Sequence, residues 1–105
     1  MEGVKEKMEK VRKYETALVL RPDLEEEKRE EIIERIKSVI TDSNGEIIDT
    51  DEWGTRQLAY EIENYRSGYY TFIEFDSTSD VLEKLEHNYR ILGEIIRSLI
   101  VRKEV

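Results

Sequence analysis

The segment formed by residues 53–75 limits what this chain can fold into more than any other part. It reads WGTRQLAYEIENYRSGYYTFIEF and contains the only tryptophan and both phenylalanines of the chain. In residues 58–63 apolar side chains alternate with small or acidic ones, the period-2 pattern of a half-buried strand. Residues 69–75 are mostly aromatic and β-branched, as strands prefer. The segment predicts a hairpin of two long strands joined at residues 64–68, with a bulge at Gly54.

Three further stretches supply the remaining elements. Residues 12–20 (RKYETALVL) and residues 95–102 (IIRSLIVR) have the composition of strands. Apolar residues with helical spacing form two stripes, one of Ile32, Ile33, Ile36, Val39 and Ile40, the other of Val81, Leu82, Leu85 and Tyr89. These stripes predict helices near residues 23–43 and 79–91. The first helix is expected to have Asp23 as its N-cap and to end before Asn44-Gly45.

The predicted element order is therefore βαββαβ. Its favoured packing is the α+β ferredoxin-like fold, an antiparallel sheet of all its strands with both helices on one face. Right-handed crossovers give the spatial strand order 4-1-3-2. The other face of the sheet is then open, and alternation from Glu74 puts Tyr70 and Phe72 on it. Residues 12–105 are predicted to form this single domain, preceded by a flexible N-terminal extension, residues 1–11.

Composition excludes several classes of protein. The chain has no cysteine, which excludes disulfides, thiolate metal sites and a cysteine nucleophile. No apolar run approaches the roughly 18–20 residues that span a bilayer, and the N-terminal residues lack the apolar region of a secretory signal. A cytoplasmic location is the expectation that follows. The net charge of −8 argues against a generic nucleic-acid binder, whose surface is normally basic.

The charges are nevertheless unevenly distributed. Acidic residues concentrate in the first predicted helix, whereas four cations stand at strand ends: Arg12, Lys13, Arg102 and Lys103. Antiparallel pairing of the first and last strands should bring these four to one corner of the domain. A local basic patch of this kind suits phosphate contacts, which position a protein on RNA without reading its sequence.

No catalytic site, metal or cofactor is expected. The single histidine, His87, lies off the apolar stripe of its helix and is read as a solvated residue, not as a base or ligand. Asp49, Asp51 and Glu52 are read as a solvated strand edge. The chain also lacks a glycine-rich nucleotide loop. A small enzyme or ligand sensor of the same fold stays open as the weaker alternative.

One partial match concerns the RNA-recognition motif, whose third strand places aromatic residues on an open sheet face. In GYYTFIEF, Tyr70, Phe72, Ile73 and Phe75 fit that pattern, but its basic residue and glycine are missing. The first strand also lacks the aromatic residue that would complete the platform. A free-standing single-stranded RNA-binding module that stacks bases on Tyr70 and Phe72 is therefore the alternative function.

A closer resemblance extends from Arg12 to the end of the chain. It rests on RKYETALVLRPDLEE, on the hairpin segment quoted above and on LEHNYRILGEIIRSLIVRK. The spacing of the Arg-Lys-Tyr-Glu start, the Trp-Gly-x-Arg-x-Leu-Ala-Tyr-x-Ile centre and the final Val-Arg-Lys resembles the bacterial small-subunit ribosomal protein six family. This resemblance implies a ferredoxin-like fold and no catalysis. It also implies a cytoplasmic ribosomal protein that binds small-subunit rRNA, in its central domain, together with small-subunit ribosomal protein eighteen.

Two sets of residues are the candidate binding sites. The candidate RNA-binding residues are Arg12, Lys13, Arg56, Arg97, Arg102 and Lys103. The candidate contacts with the protein partner are on the second strand, at the margin of the sheet, where backbone groups are unpaired: Trp53, Leu58 and Tyr60. For Leu58 and Tyr60, burial in the core is the open alternative.

Overall fold

The structure, a computed structural model, describes residues 10–103. Strands β1 (Arg12–Leu20), β2 (Glu46–Ile62), β3 (Tyr65–Ser77) and β4 (Ile95–Arg102) alternate with helices α1 (Glu26–Asp42) and α2 (Asp80–Ile91) in the order β1-α1-β2-β3-α2-β4. This confirms the predicted βαββαβ order. The prediction of a flexible extension concerns residues 1–11, of which 1–9 lie outside the described residues.

The four strands form one antiparallel sheet with the order β2-β3-β1-β4, which is the predicted 4-1-3-2 arrangement. Both helices pack on the same face of it. The main core joins the α1 and α2 stripes to strand residues of one parity, including Leu18, Ile73 and Phe75, all fully buried. Residues of the other parity line the opposite face, here called the open face, so the ferredoxin-like prediction is confirmed.

The start of α1 differs from its prediction. Asp23 does not cap the helix: α1 begins at Glu26 after the N-cap residue Glu25, and no side chain bonds to the free N–H groups there. Asp23 instead accepts hydrogen bonds from the Arg21 guanidinium at 3.1 and 3.2 Å, which lowers the pKa of its carboxyl. The local cation is the reason, since a charge-assisted bidentate pair competes with a backbone N–H for the same oxygens.

The end of α1 agrees with the expected stop at Asn44-Gly45. Asn44 has a φ of 69°, the left-handed conformation that ends many helices and that asparagine tolerates. The Gly45 N–H then donates to the Ile40 carbonyl at 2.8 Å. A Cβ at Gly45 would lie 2.6 Å from Ile40 Cγ2, so the chain needs glycine here to turn closely around the helix end.

The turn of the hairpin is shorter than the predicted 64–68. β2 ends at Ile62 and β3 begins at Tyr65, so Glu63 and Asn64 alone form the loop, with φ values of 52° and 71°. Two central residues with positive φ are typical of the tight turn that matches strand twist. Asn64, the first residue of the predicted loop, is one of these two turn residues. Gly68 is not part of the turn but lies within β3, opposite Arg56.

Gly54 marks a bulge, as predicted. The β2–β3 register shifts between Glu52 and Gly54, and Gly54 has a φ of 87°, which side-chain-bearing residues rarely adopt. A second, larger irregularity lies between Gln57 and Ile62. Another shift lies between Ile47 and Asp49, so β2 departs from regular pairing at three places, and these irregularities redirect its far end.

The far end of the hairpin, residues 58–66, is here called the arm. It folds across the open face toward the opposite edge of the sheet, because Leu58 packs in a small cluster with Val19 of β1 and Ile96 of β4. Arg97 of β4 also donates from Nη1 to the Tyr60 hydroxyl at 2.9 Å. β2 and β4 are the two edge strands of the sheet, so neighbouring-strand pairing alone would keep these residues apart.

No helix within residues 10–103 is long and apolar enough to cross a membrane.

Candidate interaction surfaces

Four cations meet at the end of the β1–β4 pair, where β1 begins. The Lys103 N–H donates to the Lys13 carbonyl at 2.8 Å, and Arg102 lies opposite Tyr14. Arg12 stands at the same end, opposite Ser77 of β3. These residues, Arg12, Lys13, Arg102 and Lys103, are here called the cationic corner. Antiparallel register brings them together because β1 begins where β4 ends.

Within the cationic corner the side chains divide between the two faces of the sheet. Tyr14 and Ser77 are buried on the helix side, so their register partners Arg102 and Arg12 lie on that side as well. Lys13 and Lys103 lie on the open face. The cationic corner therefore extends over both faces at this end of the sheet. The sequence predicted that the four cations lie together but not that they divide between the faces.

Acidic residues partly neutralise the two lysines of the corner. Lys13 Nζ lies 3.7 Å from Glu74 Oε2 and 3.6 Å from Asp76 Oδ1. Lys103 Nζ lies 3.9 Å from Glu74 Oε1. Glu74 is thus held between two ammonium groups, much as a phosphate would be, although exposed pairs of this kind are individually weak.

The other two candidate RNA-binding residues lie elsewhere. Arg97 is near the start of β4, about 20 Å along the strand from Lys103 at about 3.3 Å per residue, and bonds Tyr60. Arg56 is exposed on β2, with its guanidinium carbon 5.8 Å from the centre of the Trp53 ring. The structure therefore does not bring these two residues to the cationic corner.

The three candidate partner contacts have different environments. Trp53 is 49% exposed and Tyr60 is 58% exposed, whereas Leu58 is only 9% exposed. The Trp53 ring contacts Phe72 in a tilted arrangement, with ring centres 4.6 Å apart and an interplanar angle of 49°, and Trp53 Nε1 donates to Asp51 Oδ2 at 3.0 Å. Trp53 and Tyr60 thus present ordered aromatic surface, whereas Leu58 holds the arm in place from beneath.

The aromatic pair Tyr70 and Phe72 lies on the open face, as alternation predicted, but it is only partly exposed. Tyr70 packs against the cluster under the arm, and Phe72 is partly covered by Trp53. The two ring centres are 6.5 Å apart. Bases could stack on these rings only if the arm and Trp53 moved aside.

A groove on the open face combines aromatic and acidic side chains. Its volume is about 190 Å³, and it is lined by Glu15, Asp49, Asp51, Trp53, Phe72 and Glu74. Sequence reasoning treated Asp49 and Asp51 as a solvated edge and missed this groove. The predicted strand order could have indicated the groove, because it places acidic residues of three neighbouring strands side by side.

The carboxylates of the groove form a row across three strands. Glu74 of β3 lies directly opposite Glu15 of β1 and directly opposite Asp49 of β2. Like charges in facing positions of a sheet destabilise it. The lysines of the cationic corner offset only the central member of the row. Within the described part of the chain, no group of acidic, histidine or cysteine residues has the geometry to hold a metal ion.

A second polar cluster lies on the helix side. The Tyr69 hydroxyl donates to Glu52 Oε1 at 2.7 Å, and the Arg29 guanidinium carbon lies 4.1 Å from the centre of the Tyr69 ring. Burial and the nearby Glu52 carboxylate raise the pKa of Glu30. Burial and the hydrogen bond to Glu52 raise the pKa of Tyr69. The cluster fastens α1 to the β2–β3 ladder.

The fold and these surfaces define an α+β domain suited to contacts with other macromolecules. A family profile described as ribosomal protein S6 matches residues 13–102. The chain is 48% identical over 94 residues to small ribosomal subunit protein bS6 of Caldanaerobacter subterraneus subsp. tengcongensis, covering 90% of this chain and 99% of the relative. It is 46% identical, with the same coverage, to bS6 of Thermoanaerobacter pseudethanolicus.

A solved structure agrees. The crystal structure of 30S ribosomal protein S6 from Thermotoga maritima superposes with a TM-score of 0.86 at 38% identity, covering 90% of this chain and 89% of that one. The chain belongs to the ribosomal protein S6 family. It is therefore a structural component of the small ribosomal subunit in the cytoplasm and not an enzyme. The family resemblance seen in the sequence is confirmed.

Proposed function

We propose that the chain binds small-subunit rRNA, in the central domain, together with small-subunit ribosomal protein eighteen. The observation that supports this most is the cationic corner on a chain with a net charge of −8. Because the field of an acidic protein repels RNA, contact is favoured only where cations dominate locally. A basic partner would offset the rest of that repulsion.

The surface for the protein partner lies on β2 and the arm. Trp53 and Tyr60 present ordered aromatic surface there, and aromatic anchors of this type dominate the energy of many interfaces. Arg56 stands beside Trp53 and would take part in the same contact or in one with RNA. Leu58 has a supporting place in this proposal, since it positions the arm.

A double charge reversal tests the RNA contact. In the variant Arg12→Glu with Lys103→Glu, RNA-dependent assembly with ribosomal protein eighteen should weaken, because one corner cation on each face of the sheet is reversed. Removing each phosphate contact should also lower the salt slope of binding by roughly one unit. The measurement is a binding titration of the RNA fragment at a series of salt concentrations.

The matched control is Lys28→Glu with Lys37→Glu, two lysines that form i, i+3 pairs on α1 and do not belong to the cationic corner. It makes the same change in net charge. If both variants weaken binding equally, only the overall charge matters and the corner is not the RNA site. An unchanged affinity and salt slope in the corner variant would also refute the assignment.

Substitution of the aromatic anchor tests the partner surface. Trp53→Ala should weaken the complex with ribosomal protein eighteen by about tenfold or more, the usual effect of removing a central anchor. The comparison is Ile91→Ala, which removes an exposed apolar side chain at the end of α2. Normal partner binding by a folded Trp53→Ala protein would place the interface elsewhere.

The free-standing RNA-binding module has less support. It needs Tyr70 and Phe72 accessible to bases, yet the arm and Trp53 cover part of both rings. Tight, stacking-dependent binding of single-stranded RNA by the isolated chain would favour that alternative over the proposal.

A further inference from the structure

The acidic groove on the open face is not explained by RNA binding. Four of its six lining residues are acidic, and the other two are Trp53 and Phe72, whose rings are in tilted contact. Among the described residues, Glu15 and Asp49 have neither an ion pair nor a side-chain hydrogen bond. The row of facing carboxylates disfavours the folded state. A positively charged group bound in the groove would relieve this repulsion.

We propose that this groove binds an arginine side chain from an extended basic segment of the protein partner. The proposal names the chemistry of the partner contact and to that extent rests on the proposed function. A guanidinium is planar, stacks on aromatic rings and pairs with carboxylates through its forked N–H groups, so it matches both components of the groove.

Other occupants fit less well. A metal ion needs several ligands converging on one point, and the described residues contain no such group. A nucleic-acid phosphate would be repelled by the carboxylates. A lysine ammonium would gain the charge but not the planar stacking. The Arg56 guanidinium carbon already lies 5.8 Å from the centre of the Trp53 ring, so a guanidinium close to this ring is compatible with the fold.

The position of the groove links it to the cationic corner. Glu74 belongs to both, since it lines the groove and holds Lys13 and Lys103. A guanidinium that pairs with Glu74 would compete with these two lysines and leave them more available for RNA phosphates. Binding of the partner's arginine and binding of RNA would then be positively coupled through one carboxylate.

The proposal requires binding and stability to respond in opposite directions. Neutralising the outer carboxylates, by Glu15→Gln with Asp49→Asn, removes facing like charges and should raise the thermal stability of the isolated chain. The same change should weaken binding of an arginine peptide about three- to tenfold, from the usual strength of partly exposed charge pairs. A groove with no ligand would give only the gain in stability.

The experiment uses Trp53 as its reporter, because it is the only tryptophan in the chain and lies in the groove. A capped peptide of alternating arginine and alanine is titrated into the full chain at low salt, with tryptophan fluorescence as the signal and calorimetry as a check. A peptide with lysine in place of arginine keeps the positive charge but lacks the planar group. A peptide with citrulline keeps the planar shape but lacks the charge. The expected order of affinity is arginine, then lysine, then citrulline.

The matched control variant is Asp42→Asn with Glu83→Gln, which removes two carboxylates beside a cavity between the helices. It should bind the arginine peptide as the parent does. Equal weakening in both variants, equal affinity for citrulline and arginine, or no response to any peptide would each overturn the proposal. Neither RNA nor ribosomal protein eighteen is present, so failure here leaves the corner test of the proposed function intact.

Discussion

At the scale of single residues, two positions show how closely this chain is specified. Gly68 lies inside β3, where a Cβ would come within 2.3 Å of Val19 Cγ1. Glycine is needed here because the neighbouring strand packs closely against it, not because the chain turns. Its placement in the predicted loop was therefore wrong. Glu30 shows the opposite situation, because burial and the Glu52 carboxylate disfavour its charged form and raise the pKa of its carboxyl.

Gly68→Ala should lower the free energy of unfolding by about 1–3 kcal/mol, the usual cost of overpacking. The added methyl group must displace Val19, a branched side chain held by the sheet and by the cluster under the arm. Gly93→Ala is the control, because a Cβ there meets no atom within 4 Å and should leave stability nearly unchanged. Denaturant unfolding measures both, and equal effects would contradict the prediction.

Glu30→Gln should stabilise the chain at neutral pH and have no such effect in acid. A carboxyl whose pKa is raised by folding binds its proton more tightly in the folded state, so stability falls as pH rises from the unfolded pKa through the folded one. Glutamine removes that penalty. Thermal unfolding at pH 7 and near pH 3 measures the difference.

Glu31→Gln, which breaks the pair with Lys28 on the same helix, should give no stabilisation at pH 7. A Glu30→Gln protein that was equally stabilised at both pH values would show that charge is not the cause.

At the scale of elements, the sequence predicted whatever depends on regular spacing. The apolar stripes of both helices, the alternation along β1 and β3 and the bulge at Gly54 were all confirmed. The N-cap at Asp23 was wrong because Arg21 competes for its carboxyl. The path of the arm was not predicted, since contacts such as Tyr60 with Arg97 leave no periodic trace in a sequence. The groove was missed because it exists only between strands.

Leu58→Ala should loosen the arm more than the rest of the fold. We expect stability to fall by about 2 kcal/mol, the lower end for a buried leucine, because its cluster is small and separate from the main core. Backbone amides of residues 58–66 should exchange faster while those of β1 change little.

Leu99→Ala is the matched control for the arm, since Leu99 is 61% exposed on the same face and its truncation should change stability by less than about 0.5 kcal/mol. Uniformly faster exchange in the Leu58→Ala protein would mean that the arm and the core unfold as a single unit.

At the scale of the whole molecule, the arrangement of charge matters more than its sum. An acidic surface, a cationic corner and a neutralising carboxylate between the two lysines occur within one small sheet. If the cationic corner is the RNA site, as proposed above, the acidic surface around it opposes contact elsewhere, and Glu74 weakens the contact in the isolated chain. Net charge alone argues against RNA contact, whereas strand register places four cations at one end of the β1–β4 pair, where the contact is proposed.

Glu74→Gln should strengthen RNA binding by the isolated chain. The substitution removes an intramolecular competitor for Lys13 and Lys103, and should increase affinity about threefold at low salt, in line with weak exposed pairs. Glu63→Gln, in the hairpin turn at the other end of the sheet and exposed, makes the same change in net charge and serves as control. The same gain in both proteins would show a general charge effect.

The register shifts in the two edge ladders have a consequence before assembly. β2 departs from regular pairing at three places and β4 at one, so neither margin of the sheet is a long, flat row of free backbone groups. Such rows invite strands of other copies to add on, the first step toward fibrils and precipitates. Before it is assembled, a copy of this chain can meet other copies in solution. Irregular, charged edge strands then disfavour strand pairing between copies.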